Sequence, residues 1–303
     1  MQVGLYSITY LGIWYQGPAL TWREFLGQAK ALGYDGVEFD GKRPHANPMD
    51  LDQRTREAIR DEAARLGLEI PALSSNNDFS SPVPEHRECQ LLMVREQARL
   101  ARDLGARVVR LFAAWPGITL RDGIANYEEA RLGWERAYPD VPRLTRWRLV
   151  RDCLKEAASY GEEFGVVMAL QNHKTLTRHW LDAYELVQEV NSPWLKLCWD
   201  IPVDEWDEAW LRKGAAAIGK LTVHHHFGGD FVRKDGQVVL DSLVPDKHPL
   251  FVRLLKEIGY DGYLCYEFCH PAVDAHHQPV GIEHVHAQAA LALEYMRGLL
   301  SAA

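Results

Sequence analysis

A chain of 303 residues, 47% of them hydrophobic and 25% charged, is long enough to bury a substantial core. Its net charge of −8 and its lack of a dense Lys/Arg run argue against a nucleic-acid partner. No run approaches about 18 uninterrupted apolar residues, so no membrane span is expected. The opening MQVGLYSITYLG lacks the basic-then-apolar order of a signal peptide. Five cysteines with no C-x-x-C pair read as reduced thiols of a cytoplasmic protein.

Taken in chain order, β-rich runs alternate with helical patterns. VGLYS (3–7) is followed by a loop carrying Trp14 and then by TWREFLGQAKALG (21–33). DGVEFD (35–40) leads into GKRPHANP, which holds Arg43 and His45, and then into MDLDQRTREAIRDEAARLG (49–67). LEIPALSS (68–75) and RVVRLFAAW (107–115), ending on Trp115, are the third and fourth runs. VVMALQNH (166–173), followed by Lys174, is the fifth; LKLCWDI (195–201) and KLTVHHHF (220–227) follow. HPLFVRLLKEIG (248–259) has helical spacing, and GYLCYEF (262–268) is the eighth run. Several helical stretches close on Leu-Gly or Ile-Gly, the chemistry of a helix C-cap.

Strands alternating with helices imply parallel strands joined by right-handed crossovers. Eight such units in this length predict an α/β fold, a (β/α)8 TIM barrel, as a single domain over 1–303. Residues 116–146 are overlong for one connection and read as an insertion at the barrel mouth after strand four. A doubly wound open sheet is the alternative, but no G-x-G-x-x-G follows the first strand.

Alternation assigns faces. Val37 and Phe39 take the helix side, sending Glu38 and Asp40 inward. Gln171 and His173 share a face opposite Met168 and Leu170. Asp200 opposes Leu197 and Trp199. His224 and His226 oppose Leu221, Val223 and His225, and Glu267 opposes Leu264, Tyr266 and Phe268. In a parallel barrel these polar ends meet at one mouth. Burying so many ionisable groups without partners is costly. A divalent cation with a polar substrate is the simplest compensation, and the O/O/N/O donor set suits Mn²⁺, Mg²⁺, Co²⁺ or Zn²⁺.

The segments GYDGVEFD (33–40), ALQNHK (169–174), LCWD (197–200), HHHFGG (224–229) and GYDGYLCYEF (259–268) resemble, in order and spacing, the xylose-isomerase-like barrels, or sugar phosphate isomerase/epimerase superfamily. The resemblance covers essentially the whole chain. It implies one divalent metal, Mn²⁺ foremost, held by residues of strands five to eight. The matching positions are Gln171, Asp200, His226 and Glu267. His226 is preferred to His224 because an H-x-G pattern follows it. Two positions depart from the pattern: Gln171 stands where Glu is usual, and Val203 stands where a substrate-binding His is common.

The resemblance implies a metal-dependent isomerase or epimerase acting on a keto-sugar or cyclitol. A proton α to a carbonyl is abstracted and the metal stabilises the enediolate. Gln171 cannot carry a proton, so Glu267, His173 and His45 are the expected acid–base groups. Glu38, Trp14, Trp115, Arg43, His224 and Lys174 are expected to touch the substrate. The same loss opens an alternative, a lyase cleaving 3-oxo-glycosides, including C-glycosides, by β-elimination. A non-catalytic sugar-binding relative is a further alternative. The expected partners are a small carbohydrate and, by resemblance, further copies of the chain or a small accessory subunit.

Overall fold

Eight parallel strands close into a barrel in the computed structural model, which describes residues 1–200, 207–274, 276 and 278–302. They are β1 (Gln2–Tyr6), β2 (Gly36–Asp40), β3 (Ala72–Ser74), β4 (Val108–Leu111), β5 (Val167–Gln171), β6 (Leu195–Asp200), β7 (Thr222–Gly228) and β8 (Tyr263–Glu267). Each pairs with its neighbours in sequence, and β8 closes on β1. The predicted β3 shrinks at its start, where Pro71 lacks the N–H a ladder needs.

The helices are α1 (Trp22–Leu32), α2 (Gln53–Leu66), α3 (Pro84–Leu104), α4 (Tyr127–Arg136), α5 (Arg143–Phe164), α6 (Trp180–Val190), α7 (Glu208–Ile218), α8 (His248–Glu257) and α9 (Ile282–Ala302). The start of α1 is fixed by a capping box. Thr21 Oγ1 accepts from the Glu24 N–H at 3.3 Å, and Glu24 Oε2 accepts from the Thr21 N–H at 2.8 Å. The helix ends on Gly33, whose φ of 92° is the left-handed C-cap the Leu-Gly pair predicts. Its buried face is Phe25, Leu26 and Ala29; full burial of one such large side chain contributes roughly 1.5–3 kcal/mol. Asp52 caps α2 through the Thr55 N–H at 2.8 Å, so residues 49–52 precede the helix rather than belong to it.

The stretch 116–146 forms a hairpin, Thr119–Arg121 against Ile124–Asn126, and then α4. Its last four residues are already the first turn of α5. No side chain of α4 is buried. The helix is tied down by Trp134, whose indole N–H donates to Asp78 at 3.0 Å and whose ring lies 4.6 Å from the Arg146 guanidinium. Among the described residues, no helix is long and apolar enough to cross a membrane.

Alternation holds along β7 with one exception. Between β6 and β7 the register passes from Leu197–Thr222 to Cys198–His224, so Val223 is an extra residue in a bulge. Val223 therefore packs with Ala72, Val108, Ala169 and Cys198 inside the barrel, not on the helix side as predicted. His225 does face outward. Its Nδ1 lies 2.9 Å from the Trp199 carbonyl, and its ring meets Tyr260 edge-on at 4.5 Å.

Burial pushes the pKa of His225 down to about 3. The unfolded chain takes up this proton below about pH 6.5, and the folded chain resists it. Stability linked to His225 is therefore complete above that pH. It is lost as pH falls toward the folded pKa, by about 1.4 kcal/mol per unit. His225→Asn keeps a donor for the Trp199 carbonyl but cannot titrate. Chemical denaturation at pH 7 and pH 5 should show a smaller acid loss in the variant, by about 2 kcal/mol over that interval. Equal losses would contradict this assignment.

Candidate metal centre and active-site mouth

The ends of β5 and β6 are locked together at the C-terminal face. Asn172 Nδ2 donates to the Asp200 carbonyl at 3.1 Å, and the Asp200 N–H donates to Asn172 Oδ1 at 2.8 Å. This clamp sets Gln171 beside Asp200, with Gln171 Nε2 donating to Asp200 Oδ2 at 2.6 Å. Among the described residues, nothing hydrogen-bonds to Gln171 Oε1 or Asp200 Oδ1, both buried. Such groups are costly unless something else meets them.

From β7, His226 enters the same space. Its Nε2 lies 2.9 Å from Glu38 Oε2, which makes Nε2 the natural site of the ring hydrogen. The Nδ1 atom, also without a hydrogen-bond partner, is then a lone pair 3.5 Å from Glu267 Oε2. A carboxylate behind an imidazole is how proteins orient a metal-ligating histidine. Glu38 also accepts from Ser74 Oγ, and it lies 2.7 Å from His224 Nε2.

The electrostatics agree. Burial first, and then the nearby Glu267 charge, raises the pKa of Asp200. Burial likewise raises that of Glu267. Burial opposes charge on His226, but Glu38 and Glu267 hold its pKa above the ordinary value. Two destabilised carboxylates, an amide oxygen and an imidazole lone pair form a set a divalent cation would compensate. The residues therefore fit the expected ion.

A cavity of about 340 Å³ opens beside Asp200 and Glu267, walled by Trp115, Tyr127, His173 and Lys174. Beneath it a pocket of about 40 Å³ reaches Tyr6, Arg110 and Gln171. On the other side of Glu267 and Cys269 lies a further cavity of about 410 Å³, bounded by Asp230, Leu240 and His248. His173 Nδ1 is 2.7 Å from the Lys174 carbonyl, which can only accept, so Nδ1 carries the hydrogen and Nε2 is free to accept. The His173 ring packs edge-on to Phe112 at 4.9 Å and Trp115 at 5.1 Å. Burial lowers its pKa to about 4, so it is neutral near pH 7.

Five sequence-predicted residues are not at this cavity. His45 is buried against Phe25 of α1 at 5.6 Å, its Nε2 2.8 Å from the Leu20 carbonyl, so it packs a turn instead of serving as a base. Arg43 points to solvent in a forked pair with Asp50, both contacts at 2.7 Å. Trp14 is buried, donating to the Ile8 carbonyl at 2.9 Å. It backs the ring of Tyr127 at 5.4 Å, and Tyr127 takes the wall position in its place. Glu38 and His224 lie deeper in the barrel, where neither can meet a substrate at the mouth. Val203 lies outside the described residues.

Arg110 was not among the predicted residues. It is buried, with its guanidinium donating to Ser74 Oγ at 2.9 Å, the Ser75 carbonyl at 2.7 Å and Tyr6 Oη at 2.8 Å. The alternation of RVVRL, with Val109 and Leu111 on one face, was enough to place it inward. Tyr127 carried no such signal, because it reaches the mouth from the insertion.

A family model described as xylose isomerase-like TIM barrel matches residues 26–298. No curated protein matches the chain. Among solved structures, D-psicose 3-epimerase from Clostridium cellulolyticum H10 is 16% identical with a TM-score of 0.72, the alignment covering 99% of each chain. A 3-keto-D-glucoside 4-epimerase from E. coli is 19% identical with a TM-score of 0.68, covering 98% of this chain and 99% of that one. The IolI protein, solved with a bound zinc atom, is 16% identical with a TM-score of 0.71, covering 99% of this chain and all of its own (100%). At these identities the likeness is one of fold.

Proposed function

We propose, from the premise that this chain belongs to the xylose isomerase-like TIM barrel family, that it is a metal-dependent sugar isomerase or epimerase. It acts on a keto-sugar or cyclitol by moving a proton α to a carbonyl. The observation that carries this reading is a set of three buried polar atoms on neighbouring strand ends that have no hydrogen-bond partner among the described residues, Gln171 Oε1, Asp200 Oδ1 and His226 Nδ1, the last 3.5 Å from Glu267 Oε2.

These four residues would hold a divalent cation, Mn²⁺ foremost. When bound, the ion supplies Lewis acidity to a substrate carbonyl and its neighbouring hydroxyl. Glu267 is the proton acceptor. Its pKa, raised by burial, brings its basicity closer to neutral pH. His173 offers a neutral Nε2 to the same cavity and is the second proton carrier, in the role Gln171 cannot fill. Trp115 and Tyr127 offer ring faces to the C–H side of a sugar, and Lys174 offers a charge at the rim. Localisation in the cytoplasm is part of this proposal.

The test is incubation of the Mn²⁺-loaded protein with ketoses and 3-keto-glycosides in deuterated water. Deuterium at the carbon beside the carbonyl is expected for at least one substrate. No exchange in any of them, with metal retained, would leave a sugar-binding relative as the reading. One observation favours a second outcome of the same deprotonation. Glu267 divides two cavities, and the lobe of about 410 Å³ has room for a departing group. Release of that group from a 3-oxo-glycoside, C-glycosides included, would identify β-elimination.

Glu38 acts through His226. Glu38→Gln replaces the carboxylate behind Nε2 with a neutral amide, whose oxygen is a weaker acceptor, and should weaken Mn²⁺ binding by roughly 10–100-fold. Calorimetry on the folded variant would measure this. Unchanged affinity would mean that His226 Nδ1 is not a ligand.

A further inference from the structure

One layer beneath the mouth, we infer a second cation site formed by Glu38, His224 and Cys265, selective for a thiophilic divalent ion such as Zn²⁺. The carboxylate oxygen, imidazole nitrogen and sulfur lie within 4.8 Å of one another, and all three residues are buried. Nε2 of His224 is 2.7 Å from Glu38 Oε2. Metal–ligand bonds of about 2.0 Å to N and O and about 2.3 Å to S need only small side-chain shifts from such a cluster. The sulfur has its place because β1 carries glycine there: a Cβ on Gly4 would come within 2.5 Å of Cys265 Sγ.

Access comes from the end of the barrel opposite the mouth. A cavity of about 550 Å³ runs between the starts of β1, β3, β4 and β8, with Arg107 and Asp261 in its wall, and reaches His224. Without an ion, His224 and the Cys265 thiol sit against the Glu38 carboxylate. An entering cation takes the sulfur as thiolate, and the thiol proton leaves to solvent through this cavity. His224 adopts the tautomer with hydrogen on Nδ1, which frees the Nε2 lone pair. No electron moves. One sulfur, one nitrogen and one carboxylate select Zn²⁺, Co²⁺ or Cd²⁺ over Mn²⁺ and Mg²⁺. Because Glu38 also orients His226, an ion here touches the mouth through a single carboxylate. The inference does not depend on which reaction the mouth performs.

Titration of the metal-free full-length protein with Co²⁺ tests it. The four mouth ligands contain no sulfur, so sulfur-to-cobalt charge-transfer absorption in the near ultraviolet reports the inner site. The expected result is a band whose final amplitude corresponds to one thiolate-bound cobalt per chain, reached by two equivalents because the mouth ligands also take Co²⁺, and absent in Cys265→Ser. It should persist in Cys198→Ser and Cys269→Ser, which remove the other thiols near the axis. Those two variants assign the sulfur by elimination should Cys265→Ser fold poorly. No band in the wild type, or a band that survives in Cys265→Ser, would overturn the proposal.

Discussion

Glu267→Gln should reduce deuterium incorporation into substrate by roughly 10²–10⁴-fold, the usual worth of a positioned general base. The change is nearly isosteric and removes only the proton-accepting oxygen charge. Glu267 lines both mouth cavities. Burial raises its pKa, while the Arg110 and His226 charges keep it from rising further. Some loss of metal is expected as well, since Glu267 is also a proposed ligand. Elemental analysis separates the two effects. Activity lost with metal retained assigns Glu267 to proton transfer, and activity lost only in proportion to metal assigns it to coordination. Full exchange in the variant would remove Glu267 from the mechanism.

The second large effect is expected in the opposite direction. Gln171→Glu should tighten Mn²⁺ binding at least tenfold, which is about 1.4 kcal/mol. In the present chain the Gln171 amide donates to Asp200 Oδ2 at 2.6 Å, an attractive contact that needs no ion. A glutamate there sets two carboxylates against each other, which the cation then reconciles. The metal-free variant should therefore melt below the wild type and gain more from Mn²⁺. Calorimetry with paired thermal melts measures both. Equal affinities would show that position 171 does not face the ion.

The barrel could be read from the sequence because its evidence is local and repeated. Each strand run is followed by a helix with its own stop signal, as at Leu32-Gly33, where the cap has the required left-handed φ of 92°. The inward set was readable for the same reason, since alternation needs no knowledge of distant residues. It failed at Val223, because a bulge adds one residue and no composition signal marks it. Loop residues were the weak point. His45 and Trp14 sit near strand ends in sequence, yet α1 and Tyr127 cover them. Which loop residues reach a cavity depends on how loops fold over one another. The depth of Glu38 likewise became clear only from its contacts with His224 and His226.

Calorimetric titration of the metal-free protein with Mn²⁺ tests the mouth assignment most directly, because Mn²⁺ prefers oxygen donors over the sulfur-containing inner cluster. The expected result is saturation at one ion per chain. Asp200→Asn should weaken binding by more than the roughly 10–100-fold that loss of an outer-shell partner costs. His45→Gln, at a histidine packed on α1, should bind as the wild type does. Equal Mn²⁺ affinity in the wild type and Asp200→Asn, or no binding by either, would contradict the assignment.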